Sequence, residues 1–176
     1  MKSIKGVCVF CGSSPGDDPA YAERRVPLVF GGGSLGLMGE VAGAVMAAGG
    51  HVTGIIPEFL RHVEPPLGAI SELIVTRTMH ERKARMFALS DAFVVLPGGI
   101  GTIEETVEMT TWAQLQLHKK PIIIANIKGY WEPLIRLLDS VIAAKFAKPS
   151  LRELVHVVHS VDDILPAIED ALQPAA

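Results

Sequence analysis

The stretch from Pro97 to Glu105 reads PGGIGTIEE, and what flanks it decides the fold. Upstream, AFVVL at 92–96 is a short, wholly apolar run, the pattern of a strand covered on both faces. Downstream, TVEMTTWAQLQ continues a helix predicted over 102–117. Glycines at a strand-to-helix junction let a ligand approach the backbone with no side chain in the way. The helix start adds exposed N–H groups and the positive end of the helix dipole, which together make an anion site. Yet Glu104 and Glu105 follow that site at once.

The same alternation runs along the chain. Strands are predicted at 6–10, 27–30, 51–56, 72–76, 92–96, 121–125 and 155–158. Helices are predicted at 36–48, 79–90, 102–117, 131–145 and 161–172, with Gly49-Gly50 as a stop after the first. This order predicts a single α/β domain over 1–176, a doubly wound, mostly parallel, Rossmann-like sheet. One link is short. Between Ser14 and the strand at Pro27 stand only twelve residues, Pro15 to Val26. A parallel crossover with its helix needs at least about 10–12 residues. Either this crossover is degenerate or a segment is missing from the recorded sequence.

Composition narrows the function. With 176 residues, 49% hydrophobic and 20% charged, the chain can bury a real core. A net charge of −3 implies no general affinity for nucleic acid or acidic membranes. No apolar run is long enough to span a bilayer. The N-terminal MKSIKGVCVFCGSS lacks a signal-peptide core and cleavage site, and reads as a first strand. Cys8 and Cys11 form C-x-x-C, but their odd separation within a strand points them to opposite faces. With no second ligand pair, they read as buried thiols in a reducing cytosol. None of the six histidines forms an H-x-x-x-H pair, so no metal is expected.

Three segments carry candidate chemistry. The first is GGGSLGLMG at 31–39, where Gly31, Gly33 and Gly36 satisfy G-x-G-x-x-G and Glu58 follows roughly 20 residues on. This is either a dinucleotide fingerprint or close packing of helix on sheet. The second is PGGIGT, where Thr102 adds a hydroxyl. Two glycine-rich turns at the C-terminal ends of strands imply a shared crevice. Neither has the G-K-[ST] of a triphosphate loop, which favours a monophosphate or diphosphate. Within it, Thr102-x-x-Glu105 reads equally as a capping box or as a carboxylate aimed at whatever the phosphate is attached to. The third is MHERKARM at 79–86, whose cations either meet a phosphate or form a solvated helix face.

Together with CGSS at 11–14 and TWAQLQLHKKP at 111–121, these segments resemble the Lonely Guy family over nearly the whole chain. That family comprises cytokinin-activating phosphoribohydrolases, long labelled possible lysine decarboxylases. The resemblance implies hydrolysis of the N-glycosidic bond of AMP or an N6-modified AMP such as N6-isopentenyl-AMP, giving free base and ribose 5-phosphate. It implies no cofactor and a homodimer, expected in the cytoplasm with no nucleic-acid or membrane partner; the apolar helix 102–117 with Trp112 is then either the dimer interface or a helix packed on the core. Carried onto this chain, Arg82 and Glu105 are catalytic. Substrate contacts fall to Arg82, Lys83, Gly98, Gly99, Ile100, Gly101, Thr102, Ile103, Glu104 and Glu105, with Glu64 and Thr111 beside them. A carboxylate near C1′ would stabilise an oxocarbenium-like ribosyl cation or activate water. Arg82 would donate hydrogen bonds, since a pKa above about 12 rules it out as an acid. A nucleotide or cofactor carrier is the alternative, and an NAD-dependent oxidoreductase leaves PGGIGTIEE unexplained.

Overall fold

The computed structural model describes residues 4–12, 26–63, 65–68 and 70–173. Its strands are β1 (Val7–Phe10), β2 (Leu28–Phe30), β3 (Val52–Pro57), β4 (Glu72–Thr76), β5 (Ala92–Val95), β6 (Ile122–Ala125) and β7 (His156–Val158). Its helices are α1 (Gly36–Ala47), α2 (Met79–Leu89), α3 (Ile100–Gln114), α4 (Glu132–Ala143) and α5 (Ile164–Ala171). All seven strands pair in parallel, in the order β4-β3-β2-β1-β5-β6-β7.

The apolar runs form strands because both faces of the sheet are covered. Val7 and Val9 point into one core with α1 (Val41, Ala42, Val45) and α5 (Ile164, Ile168). Cys8 and Phe10 point into the other, with Met86 of α2, Met109 of α3 and Leu134 of α4. Phe93 and Ile122 to Ile124 are wholly buried in the central strands. Each such side chain contributes about 1.5–3 kcal/mol by leaving water. The edge strand β4 differs: Leu73 and Val75 are exposed there.

Two details depart from expectation. First, α3 begins at Ile100 rather than at 102. Its N-cap is Gly99, with no side-chain cap bond, so Thr102 lies inside the first turn and the Thr102–Glu105 capping box does not form. The device appears instead on α2, where Thr78 Oγ1 accepts from the Glu81 N–H at 3.1 Å and the Glu81 carboxylate accepts from the Arg77 N–H at 3.0 Å. Second, Trp112 turns inward and meets Phe87 edge-on at 5.3 Å, so it packs the core. The outer side of α3 is left to Val107, Thr111 and Leu115, which are exposed. The short link predicted at 15–26 lies almost wholly outside the described residues.

Candidate active site

After β1 the chain winds outward through β2 and β3 to β4, then returns across the sheet to place β5 on the other side of β1. The point where the winding reverses therefore lies between β1 and β5. Open α/β sheets bind ligands there, beyond the C-terminal strand ends. A cavity of about 400 Å³ occupies that place. The glycine turns after β2 and β5 both line it, through Gly31 and through Gly99 to Thr102, as does Gly12 after β1. Met38, Leu60 and Met79 supply an apolar wall.

The return crossing also explains which charges meet. α2 links the edge strand β4 to β5, so it lies across β4, β3, β2 and β1, and α3 rests on β1 beside it. Arg82 of α2 thereby faces Glu105 of α3, with Nη2 and Oε1 3.6 Å apart. Their side chains are only 8% and 12% exposed. One residue on, Lys83 Nζ is held by the carboxylates of Glu104 and, at 3.0 Å, Glu108. Burial alone would push the Lys83 ammonium down, but hydrogen bonds and charge from Glu104 and Glu108 hold it above its ordinary value. Glu104 and Glu108 are one helical turn apart, so both reach the same cation. Glu105, between them, turns toward Arg82 and the cavity.

Glycine makes this arrangement possible at two places. A side chain on Gly31 would strike the Arg82 guanidinium, so the first glycine of G-x-G-x-x-G makes room for Arg82. A side chain on Gly98 would strike Thr102 and the backbone nitrogen of Gly12, which lies within 2.8 Å of that point. Gly98 thus wedges between the end of β1 and the first turn of α3. Beside it the Gly12 N–H donates to the Pro97 carbonyl at 3.0 Å. Around Gly99 there is open space. The first N–H groups of α3 have no intrahelical partner, and the side-chain-free cap at Gly99 leaves them to the cavity that Gly99, Ile100, Gly101 and Thr102 line.

The predicted residues divide accordingly. Arg82, Gly99, Ile100, Gly101, Thr102, Glu104 and Glu105 line one cavity. Lys83 is buried against Glu104 and Glu108 beside it, Gly98 packs against Thr102 and Gly12 outside the lining, and Ile103 packs against the core behind α3. Thr111 is brought elsewhere: it is exposed, and its hydroxyl donates to the Val107 carbonyl at 2.8 Å. Glu64 lies outside the described residues. Glu58 is not among the residues that line the cavity; it pairs with Arg61 at 3.1 Å on an exposed turn. Cys11 lines the cavity, where burial and then the charge of Glu105 push its thiol up to about 12. Glu108, Leu60 and Tyr130, whose hydroxyl donates to the Gly98 carbonyl at 2.8 Å, were not singled out from sequence. Glu108 had a visible signal, its spacing from Glu104; Tyr130 had none.

An open α/β sheet with a glycine-lined cavity at a helix start and a buried Arg–Glu pair defines a class of small-ligand proteins, and comparison narrows it. A family model described as "Possible lysine decarboxylase" matches residues 38–168. A probable cytokinin riboside 5′-monophosphate phosphoribohydrolase of Oryza sativa subsp. japonica is 46% identical, covering 93% of this chain and 80% of that protein. A cytokinin riboside 5′-monophosphate phosphoribohydrolase of Arabidopsis thaliana is 41% identical, covering 95% and 82%. The chain belongs to this family, the Lonely Guy phosphoribohydrolases. The match to the rice protein runs over 181 residues, more than the 176 in this chain, so the relative carries extra residues inside the matched region. Among solved structures, the molybdenum cofactor binding protein of Rippkaea orientalis aligns with a TM-score of 0.67 at 20% identity, covering 96% of each chain. It shares the fold.

Proposed function

We propose that this chain hydrolyses the N-glycosidic bond of adenosine 5′-monophosphates, including N6-modified ones, releasing the free base and ribose 5-phosphate. The observation that carries the reading is the buried Arg82–Glu105 pair at 3.6 Å, set just past the uncapped start of α3 in one cavity. The N–H groups at Gly99 to Thr102 hold the 5′-phosphate, where the dipole of α3 favours the dianion. Glu105 lies about one and a half turns further along the helix, close to C1′ of a ribose tethered by that phosphate. There it stabilises the ribosyl cation and orients water. Water's oxygen bonds to C1′ and gives up a proton to the Glu105 carboxylate, the C1′–N9 electrons leave with the purine, and the purine takes up a proton from solvent, so that one water is divided between the two products. Arg82 holds the Glu105 carboxylate in place and donates hydrogen bonds. The apolar wall of Met38, Leu60 and Met79 suits a base with an apolar N6 substituent.

The working unit we propose is a cytoplasmic homodimer. Its support is the exposed side of α3 with Val107 and Leu115. Thr111, outside the cavity of its own chain, would reach substrate only across such an interface. No helix among the described residues is long and apolar enough to cross a membrane.

The test is incubation with AMP and N6-isopentenyl-AMP, followed by chromatography for free base and ribose 5-phosphate. Stoichiometric release of both supports the reading. AMP bound without release would instead make the chain a carrier.

A further inference from the structure

We infer that Tyr130 is a positioning residue that sets the phosphate loop from outside the cavity; the inference rests on the phosphate-binding role proposed above for Gly99 to Thr102. Tyr130 stands thirty-two positions beyond Gly98 in sequence, in the turn between β6 and α4, yet its hydroxyl donates to the Gly98 carbonyl at 2.8 Å. In a trans peptide the carbonyl and the following N–H point in opposite directions. There are no cis peptide bonds among the described residues. Fixing the Gly98 carbonyl outward therefore turns the Gly99 N–H the other way. The lining of the cavity agrees: Gly99 belongs to it and Gly98 does not. Glycine at 99 permits many orientations of this peptide, so something outside the loop has to select one.

The turn that carries Tyr130 is built to hold it still. Lys128 and Gly129 are both left-handed, at φ 52° and 76°. For a lysine this conformation is uncommon and persists only where its surroundings enforce it. Asn126 enforces it here. Its side-chain oxygen accepts from the Trp131 N–H at 2.8 Å, its backbone carbonyl accepts from the Gly129 N–H at 3.2 Å, and its own N–H donates to Val158 of β7 at 2.8 Å. Trp131 is buried and meets the Tyr130 ring edge-on at 5.0 Å. Tyr130 itself is half exposed, so packing does not require a hydroxyl there.

The test compares wild type with Tyr130→Phe by titration calorimetry using ribose 5-phosphate, which carries the phosphate and needs no turnover. Binding must then re-order the Gly98–Gly99 peptide that the hydrogen bond had fixed, and a cost up to that bond's worth predicts affinity lower by as much as about fivefold. For AMP hydrolysis, KM rises by a similar factor while kcat stays within about twofold. In amide NMR spectra, the shift of the Gly99 N–H on ligand addition shrinks in the variant, while the melting temperature falls by no more than about 2–4 °C. Equal affinity in the two proteins, or a drop in kcat with melting temperature and no change in KM, overturns the role of Tyr130 alone. If wild type itself fails to bind ribose 5-phosphate, the phosphate-loop reading falls and this inference with it.

Discussion

Arg82 and Glu105 lie 3.6 Å apart and almost wholly out of water, although twenty-three positions separate them in sequence. The return of the chain from β4 to β5 lays α2 alongside α3 and brings them together. Breaking a buried ion pair by removing one partner is costly because the remaining charge stays desolvated. Arg82→Ala is therefore expected to lower stability by on the order of 3 kcal/mol and to abolish base release. Arg82→Lys, which keeps the charge but not the planar fork, should retain most of the stability and still lose most of the activity. Urea denaturation with an AMP assay on both variants separates the two effects.

Lys83 predicts a pH dependence of known sign. Burial works against its charge, but Glu104 and Glu108 outweigh it and hold its folded-state pKa above 10.5. A group raised on folding contributes stability below its unfolded pKa and loses it as pH climbs through the folded one. The stability gap between wild type and Lys83→Met should accordingly be constant through neutral pH and narrow above about pH 10.5. Denaturant midpoints from pH 7 to 11 measure it. A gap that widens in that range contradicts the assignment.

The two adjacent glycines of the loop should behave differently. Gly98→Ala puts a methyl group against Thr102 and the Gly12 nitrogen, so it is expected to cost about 1–3 kcal/mol or more and to disturb the start of α3. Gly99→Ala meets nothing. It should fold normally and, on the proposed phosphate-binding role of this loop, raise KM for AMP. Melting temperature and KM, measured together, tell the pair apart.

Both cysteines should be inert in the folded protein. Cys8 and Cys11 are buried on opposite sides of the sheet, with thiols pushed well above the ordinary range by burial first and by Glu105 second. A thiol reagent at pH 8 is expected to label neither in native protein and both after denaturation. Rapid native labelling of Cys11 would show that the cavity wall opens.

The sheet was legible because strands covered on both faces are written as unbroken apolar runs: GVCVF, AFVVL and PIIIA all became strands. The start of α3 was not, because Thr102-x-x-Glu105 carries the letters of a capping box while Gly99 is the true cap. Arg82 and Lys83 were ambiguous for a physical reason. A run of charge on a helix normally faces water, and only the neighbouring helix, with Glu104, Glu105 and Glu108, shows why this one is buried. Tyr130 was invisible because its single contact with Gly98 depends on the order of β5 and β6 in the sheet and on a left-handed turn at a lysine. Local sequence encodes neither.

The most direct test of the central claim is Glu105→Gln, assayed for adenine release from AMP and for ribose 5-phosphate binding by calorimetry. A glutamine of equal size keeps the shape and removes the anion proposed to face C1′. Turnover should fall by about 10²–10⁴-fold, with ribose 5-phosphate affinity held within about twofold. Turnover within a few-fold of wild type would contradict the account.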